Sequence, residues 1–334
     1  MRAVVCTAPG HLELTTRPDL APPAEGWVAV DIRHVGICGT DYHIFEGKHP
    51  FLAYPRVIGH ELSGVTVTAG ASIAAGTPVI VNPYLACGRC AACLKGKPNC
   101  CMAIEVLGVH RDGGLCDRIH VPEGNLFPAD GISLRDAAMV EFLAIGAHAV
   151  RRSGRTAGSA LVVGAGPIGI GVAIFARLAG LDVTMMDTSD ERLAFMADAL
   201  GFPSHLKAGP ERNRSVADVT AGDGFDVVFD ATGNGASIQD GIVDVAHGGV
   251  YVLVSVVKDA ISFADPEFHK REMQLIASRN ALREDFETVV SAIRNGDVRT
   301  DRLATHSATL DEAPAGIERW AHDKAGLVKA IIDL

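Results

Sequence analysis

The run CGRCAACLKGKPNCC, residues 87 to 101, packs five of the chain's eight cysteines into fifteen residues. Sulfur at that density serves to cross-link, to bind metal or to carry redox chemistry. Disulfide frameworks belong to short secreted chains that lack room for a core, and a chain of 334 residues has that room. Cys87, Cys90, Cys93 and Cys101 follow C-x2-C-x2-C-x7-C. That spacing can deliver four thiolates to one tetrahedral ion, the shell that zinc prefers. An iron–sulfur cluster also accepts four cysteines, at spacings similar to these. By spacing alone Cys100 reaches the ion as readily as Cys101, and the other is a spare thiol.

A second constellation lies upstream. GICGTDYH supplies Cys38, Thr40, Asp41 and His43, and VIGHELSG supplies His60, twenty-two residues after Cys38, and Glu61. A lone Cys or His is usually a satisfied core residue, but here Cys, His and Glu all stand beside glycine-rich turns. HELSG is not the metalloprotease H-E-x-x-H, because Gly64 stands where the second His would be. A catalytic zinc wants three protein ligands and one open position. One more ligand is therefore expected from elsewhere, and Glu141 in MVEFLAIGAHAV is the candidate.

The third pattern is VVGAGPIG, which sets Gly164, Gly166 and Gly169 in G-x-G-x-x-G, with Pro167 and Ile168 opening a helix. Such glycines allow a tight turn and let a pyrophosphate approach a helix N-terminus. The following strand ends at Asp187, 18 residues beyond Gly169, where a carboxylate accepts hydrogen bonds from an adenosine ribose diol. The same charge repels a 2′-phosphate, so NAD is expected over NADP. Arg192 either lies against the adenine or pairs on the surface with Glu191 or Asp190. Thr232 in DATG, and Ser278 and Arg279 in SRNA, are further candidate cofactor contacts. Arg279 either binds a polyol or carboxylate near the nicotinamide or braces a subunit interface.

These residues need elements to position them. The first ~145 residues hold short valine-rich runs such as WVAVDIRHVGI and TPVIVNPY, bounded by Gly, Pro or Asn, which read as β structure. Beyond about residue 147, apolar strands alternate with helical patterns, from SALVVGAG and PIGIGVAIFARLAG to VYVLVSVV. That alternation is the mark of βαβ units in a parallel sheet. From about residue 282 the pattern is an amphipathic helix, EDFETVVSAIRNGDV, then strand, helix and strand, with the last strand a candidate to rejoin the first domain. The expected organisation is a β-rich catalytic domain over 1–146 and 282–334, with a metal lobe at about 85–103, and an α/β Rossmann domain, a doubly wound parallel sheet, over 147–281.

Forty acidic against thirty basic residues give a formal net charge of -10, which disfavours a nucleic-acid or anionic-membrane surface. The N-terminus MRAVVCTAPGHLEL lacks the apolar core of a signal peptide, and the most apolar stretch is broken by glycines and a proline. A cytoplasmic chain with reduced cysteines is expected, acting on a small molecule.

Taken in order, CGTDYH, GHE, CGRCAACLKGKPNCC and GAGPIG resemble the medium-chain, zinc-dependent alcohol and polyol dehydrogenase family along nearly the whole chain. The resemblance implies a GroES-like catalytic domain, a Rossmann domain and two zinc ions: one structural, on Cys87, Cys90, Cys93 and Cys101, and one catalytic, in a cleft between domains. It favours Cys101 over Cys100. It matches Cys38 and His60 to catalytic zinc ligands and Glu61 to a neighbouring carboxylate that approaches the metal in some states. At the third position, where simple alcohol dehydrogenases have cysteine, this chain has Glu141, as sorbitol-like and threonine-like members do. Direct ligation and water-mediated contact both remain open there.

HPFLAYPRVIGHE, LGVHRDGG and SRNA are similar to bacterial sugar-acid 5-dehydrogenases acting on compounds such as L-galactonate or L-gulonate. The implied reaction is hydride transfer from a secondary alcohol to NAD. Thr40 takes the alcohol's proton and passes it through the cofactor ribose to His43, while Asp41 orients a metal ligand. A homodimer or homotetramer is implied. Two rivals share parts of this pattern: a zinc- and NAD-binding sensor without turnover, and a zinc-free NADPH quinone reductase, which would lack both metal clusters.

Overall fold

The computed structural model describes residues 1–49 and 52–334. Pro50 and Phe51, inside HPFLAYPRVIGHE, lie outside the described residues. The chain forms two compact units, Met1–Glu141 with Val290–Leu334, and Phe142–Val289. Both divisions fall inside helices, Val140–Ser153 and Arg283–Arg294, so no break in periodicity marks them in the sequence.

The first unit begins with β1 (Arg2–Ala8), β2 (His11–Thr16), β3 (Trp27–Ile37), β4 (Arg56–Val57), β5 (Glu61–Thr66) and β6 (Pro78–Val81). It continues through β7 (Tyr84–Leu85), β8 (Glu105–Val106), β9 (Arg118–Pro122) and β10 (Leu126–Pro128). After the second unit and its six strands, it is completed by β17 (Ala304–Thr309) and β18 (Lys329–Asp333). Its main sheet runs β10-β6-β5-β3-β18-β17, with β9 also on β3. The last strand thus returns beside β3, antiparallel, with Ala330 opposite Ile37. Valine and isoleucine from β3, β6 and β18, among them Val28, Val30, Val35, Val79 and Ile332, close the core together with Leu62 of β5, as expected where β-branched side chains line a pleated surface.

β7 and β8 form a two-stranded stem, Tyr84 opposite Val106 and Leu85 opposite Glu105. The four-cysteine lobe hangs from it. Between residues 86 and 104 only Asn99 and Cys101 are buried, so the lobe has no apolar core of its own.

The second unit consists of β11 (Ser159–Val163), β12 (Asp182–Asp187), β13 (His205–Lys207), β14 (Phe225–Asp230), β15 (Val245–Leu253) and β16 (Gln274–Ala277). They are all parallel, in the order β13-β12-β11-β14-β15-β16. The order reverses between β11 and β14, the switch point at whose C-terminal crevice such sheets bind ligands. The central strands β11 and β14 are largely apolar because both faces are covered; Leu161, Val163, Val228 and Tyr251 are fully buried or nearly so.

Candidate active site

Residue pairing in the main sheet assembles the upstream constellation. Gly36 near the end of β3 lies opposite Glu61, the first residue of β5, so Cys38, two residues on, stands beside His60 and Glu61. The Cys38 sulfur, a His60 nitrogen and a Glu61 oxygen all fall within 4.8 Å of one another. Space for the carboxylate comes from Gly36: a Cβ there would stand 2.2 Å from Glu61 Oε2 and 3.0 Å from the Ala138 carbonyl oxygen.

Asp41 fixes the two strand ends. It is fully buried; its Oδ2 accepts from the Cys38 backbone N–H at 2.8 Å and its Oδ1 from the Gly59 N–H at 3.1 Å. One carboxylate therefore pins the backbone of Cys38 and of the residue before His60, and its Oδ1 lies 3.8 Å from His60 Nδ1.

Two further contacts hold carboxylates in this neighbourhood. Lys329 on β18 donates to Glu61 Oε1 at 2.6 Å and to the Ile37 carbonyl at 3.3 Å, with both side chains almost fully buried. The Tyr84 hydroxyl donates to Glu141 Oε1. The opposite oxygens, Glu61 Oε2 and Glu141 Oε2, are buried without a hydrogen-bond partner, as is His60 Nδ1. Buried polar atoms are ordinarily satisfied, so the unpartnered Glu61 oxygen, within 4.8 Å of the Cys38 sulfur and a His60 nitrogen, fits a metal ion.

The buried carboxylates of Asp41, Glu61 and Glu141 crowd together with the buried Lys329 and His60, and buried charges of this kind need partners. Burial pushes the Glu141 carboxyl up to about 7, against the pull of His60. Burial alone would depress His60, but Asp41 and Cys38 outweigh it and hold the imidazole well above its ordinary value. Glu141 is not part of the close Cys38–His60–Glu61 group. Of the two carboxylates anticipated from sequence, the structure brings Glu61 nearest to Cys38 and His60.

The other proton-relay candidates share the helix Gly39–Phe45. The Thr40 hydroxyl is 3.9 Å from the Cys38 sulfur, and His43, one turn on, is exposed to solvent.

In the lobe, Cys87, Cys90, Cys93 and Cys101 have their sulfurs within 4.8 Å of one another. Cys90 lies 3.5 Å from Cys93 and 3.9 Å from Cys101. A tetrahedral ion with Zn–S bonds of ~2.3 Å requires S···S edges of about 3.8 Å. Cys101 is buried and Cys100 exposed, and none of the eight cysteines is in a disulfide. Backbone N–H groups of Cys93 and Met102 draw the Cys90 thiol down to about 6, and those of Arg89 and Cys90 lower Cys87. Desolvation pushes Cys93 up to about 12, so it retains a proton that a metal would displace.

In the second unit the candidate cofactor residues lie at or just beyond the C-terminal ends of β11, β12, β14 and β16. Parallel strands put these ends along one edge. Gly164 adopts φ +100°, and a Cβ on Gly169 would fall 1.7 Å from the Gly164 carbonyl oxygen, so the helix Pro167–Leu178, begun by Pro167 and Ile168, packs onto the turn only with glycine there. A Cβ at Gly166, the N-cap, would meet nothing within 4 Å; the space before the helix N-terminus is open, as a pyrophosphate requires.

Asp187 closes β12. Its Oδ2 accepts from the Ala165 N–H at 2.6 Å and its Oδ1 from the Ser189 N–H at 2.8 Å, leaving further lone pairs for a diol. Arg192 lies 4.0 Å from Asp187 Oδ2, while Asp190, one of the partners anticipated for it, pairs with Lys207 at 2.7 Å. Thr232 donates through its N–H and hydroxyl to Asp230 Oδ1. Ser278 and Arg279 follow β16 directly, and the Ser278 hydroxyl is buried without a hydrogen-bond partner.

Comparison with known proteins matches residues 24–131 to the alcohol dehydrogenase GroES-like domain and 167–295 to the zinc-binding dehydrogenase domain. L-galactonate-5-dehydrogenase of Escherichia coli K12 is 39% identical over 336 residues, covering 99% of this chain and 98% of the relative. The chain belongs to the medium-chain zinc alcohol dehydrogenase family. Another member, 2-dehydro-3-deoxy-L-galactonate 5-dehydrogenase of Pseudoalteromonas atlantica, is 33% identical, covering 93% of this chain and 92% of its own. The solved structure of the alcohol dehydrogenase rspB of Escherichia coli CFT073, complexed with NADH, superposes with a TM-score of 0.93 at 27% identity, over 100% of this chain and 99% of that one.

Within the medium-chain family this chain is an oxidoreductase of the zinc-dependent polyol and sugar-acid dehydrogenase type. No helix among the described residues is long and apolar enough to cross a membrane. Three residues of the site escape sequence reasoning: Gly36, Tyr84 and Lys329. Lys329 had a usable signal, since a lysine in the apolar run GLVKAIIDL needs a buried partner; Tyr84 in NPYLACG had none.

Proposed function

We propose that the chain oxidises a secondary alcohol of a sugar acid or polyol, L-galactonate-like or L-gulonate-like, and passes the hydride to NAD. The observation that carries this reading is the Cys38–His60–Glu61 group, its His60 and Glu61 buried and its His60 Nδ1 and Glu61 Oε2 unpartnered, in a chain that also bears the glycine turn and Asp187. Cys38, His60 and a carboxylate from Glu61 or Glu141 would hold a catalytic zinc, and Cys87, Cys90, Cys93 and Cys101 a structural one. A bound catalytic zinc supplies a positive charge that lowers the pKa of the substrate hydroxyl. Thr40, beside Cys38, would accept the hydroxyl proton, and exposed His43 would exchange it with solvent. Asp41 keeps the backbone of both ligand-bearing segments in place. Asp187 selects the cofactor through its hydrogen bonds to the diol.

A panel of sugar acids and polyols with NAD, read as NADH formation, is the test. Rapid turnover of a 5-hydroxyl in a C6 sugar acid is the expected result, and inertness towards every sugar acid and polyol would sink the reading. In the same assay the wild-type chain should strongly prefer NAD over NADP and Asp187→Gly should erode that preference; equal use of both by the wild type would refute the role of Asp187. The chain is also proposed to assemble as a homodimer or homotetramer, since β16 is an edge strand whose free ladder groups a second copy can pair. Light scattering should give a multiple of 35.0 kDa; a monomer would remove this proposal alone.

A further inference from the structure

Glu141 and Glu61 are held alike but by different partners. Each has one oxygen occupied, Glu61 Oε1 by the Lys329 ammonium and Glu141 Oε1 by the Tyr84 hydroxyl. Each presents its other oxygen, buried and unpartnered. Tyr84 is itself fixed at the base of the four-cysteine lobe: its N–H donates to Asn82 Oδ1 at 3.0 Å, its carbonyl accepts from Asn125 Nδ2 at 3.1 Å, and β7 pairs with β8. Asn125 Nδ2 also bonds the Asn82 carbonyl at 2.9 Å, so the main chain on both sides of Tyr84 is clamped. A phenol anchored this firmly is a fixed point from which a carboxylate can be aimed.

We propose that Tyr84 is a positioning residue for the metal: it holds Glu141 by Oε1 so that Oε2 alone is offered to the ion of the Cys38–His60 site. The inference rests on the proposed metal site and assigns to it a residue outside the ligand set. A phenol that merely found a buried partner for its hydroxyl would contribute to stability and leave the metal's coordination unchanged. A positioning phenol changes that coordination. Partners behind a ligand typically alter metal affinity by ~10–100-fold.

The test is Co2+ titration of the metal-free full-length chain, reading both the dissociation constant and the ligand-field and thiolate charge-transfer bands of the Cys38 site. Tyr84→Phe should weaken Co2+ at that site by ~10–100-fold and shift the ligand-field band, while the bands of the four-cysteine lobe stay as in the wild type. In a Glu141→Gln background, Tyr84→Phe should change neither further. If Tyr84→Phe does not fold, Glu141→Asp decides: one methylene shorter, it cannot keep both Tyr84 and the metal, and it should weaken Co2+ comparably. Wild-type affinity and spectrum in Tyr84→Phe, or in Glu141→Asp where that variant decides, would overturn the inference while leaving the metal site intact. A wild-type chain that loads only its lobe, with Cys38→Ser making no difference, would overturn the site reading and the inference together.

Discussion

Cys38→Ser is expected to cut turnover by about 10³-fold or more. Charge stabilisation by a metal is worth several kcal/mol, and each ~1.4 kcal/mol is a decade in rate. Both proposed metal sites lie in the first unit, whereas the glycine turn, Asp187 and Thr232 lie in the second. Loss of the catalytic metal should therefore leave cofactor binding intact. Fluorescence titration with NADH should give a near wild-type dissociation constant for Cys38→Ser, while metal analysis shows the chain retaining only the ion of the four-thiolate lobe. A chelator should reproduce this state in the wild type, because the shell of Cys38, His60 and a harder carboxylate exchanges more readily than four thiolates. Near wild-type turnover in Cys38→Ser, or a lobe that empties first, would contradict the assignment.

The second large effect concerns stability. Lys329→Met should destabilise the metal-free first unit by ~3–5 kcal/mol, the cost of leaving a buried carboxylate without its counter-charge. Glu61 is fully buried, and Lys329 lies 2.6 Å from it. Adding Glu61→Gln removes the uncompensated charge and should restore most of the loss, since replacing both partners of a buried pair is often near neutral. With zinc bound, the penalty of Lys329→Met should shrink, because the ion replaces the missing positive charge. Urea unfolding of the single and double variants, with and without zinc, measures all of this; equal destabilisation by single and double variants would show that Lys329 acts through packing alone.

What was legible in the sequence was what local rules encode. The glycine turn reads from sequence because strand, turn and helix N-terminus are contiguous, and Gly164 and Gly169 are required by backbone geometry within six residues. The cysteine lobe reads because its ligands lie within one loop. Cys38 and His60 read as a pair because each stands beside a glycine-rich turn, Cys38 just after β3 and His60 just before β5.

The supports behind these ligands were not legible. Tyr84 meets Glu141 across 57 residues and Lys329 meets Glu61 across 268, and neither spacing has a period or a motif. Asp41, expected to orient a ligand, has Oδ1 3.8 Å from His60 Nδ1 and also pins the backbone of Cys38 and Gly59, a part that no sequence pattern announces. That Glu61 lies nearer than Glu141 to Cys38 and His60 follows from the sheet register, which sets Gly36 opposite Glu61.

The return of β18 to β3 has a consequence for biosynthesis. Translation delivers β1 to β10, then the whole of the second unit, and only then β17 and β18. While the ribosome makes the nucleotide-binding sheet, the earlier sheet has an open seam along β3, and Glu61 lacks its ammonium partner. The second unit can mature first, and the first unit closes behind it, with Lys329 arriving on the strand that seals the seam. A nascent chain stalled within this interval exposes an apolar strand edge, the kind of surface on which chaperones act and through which neighbouring chains aggregate.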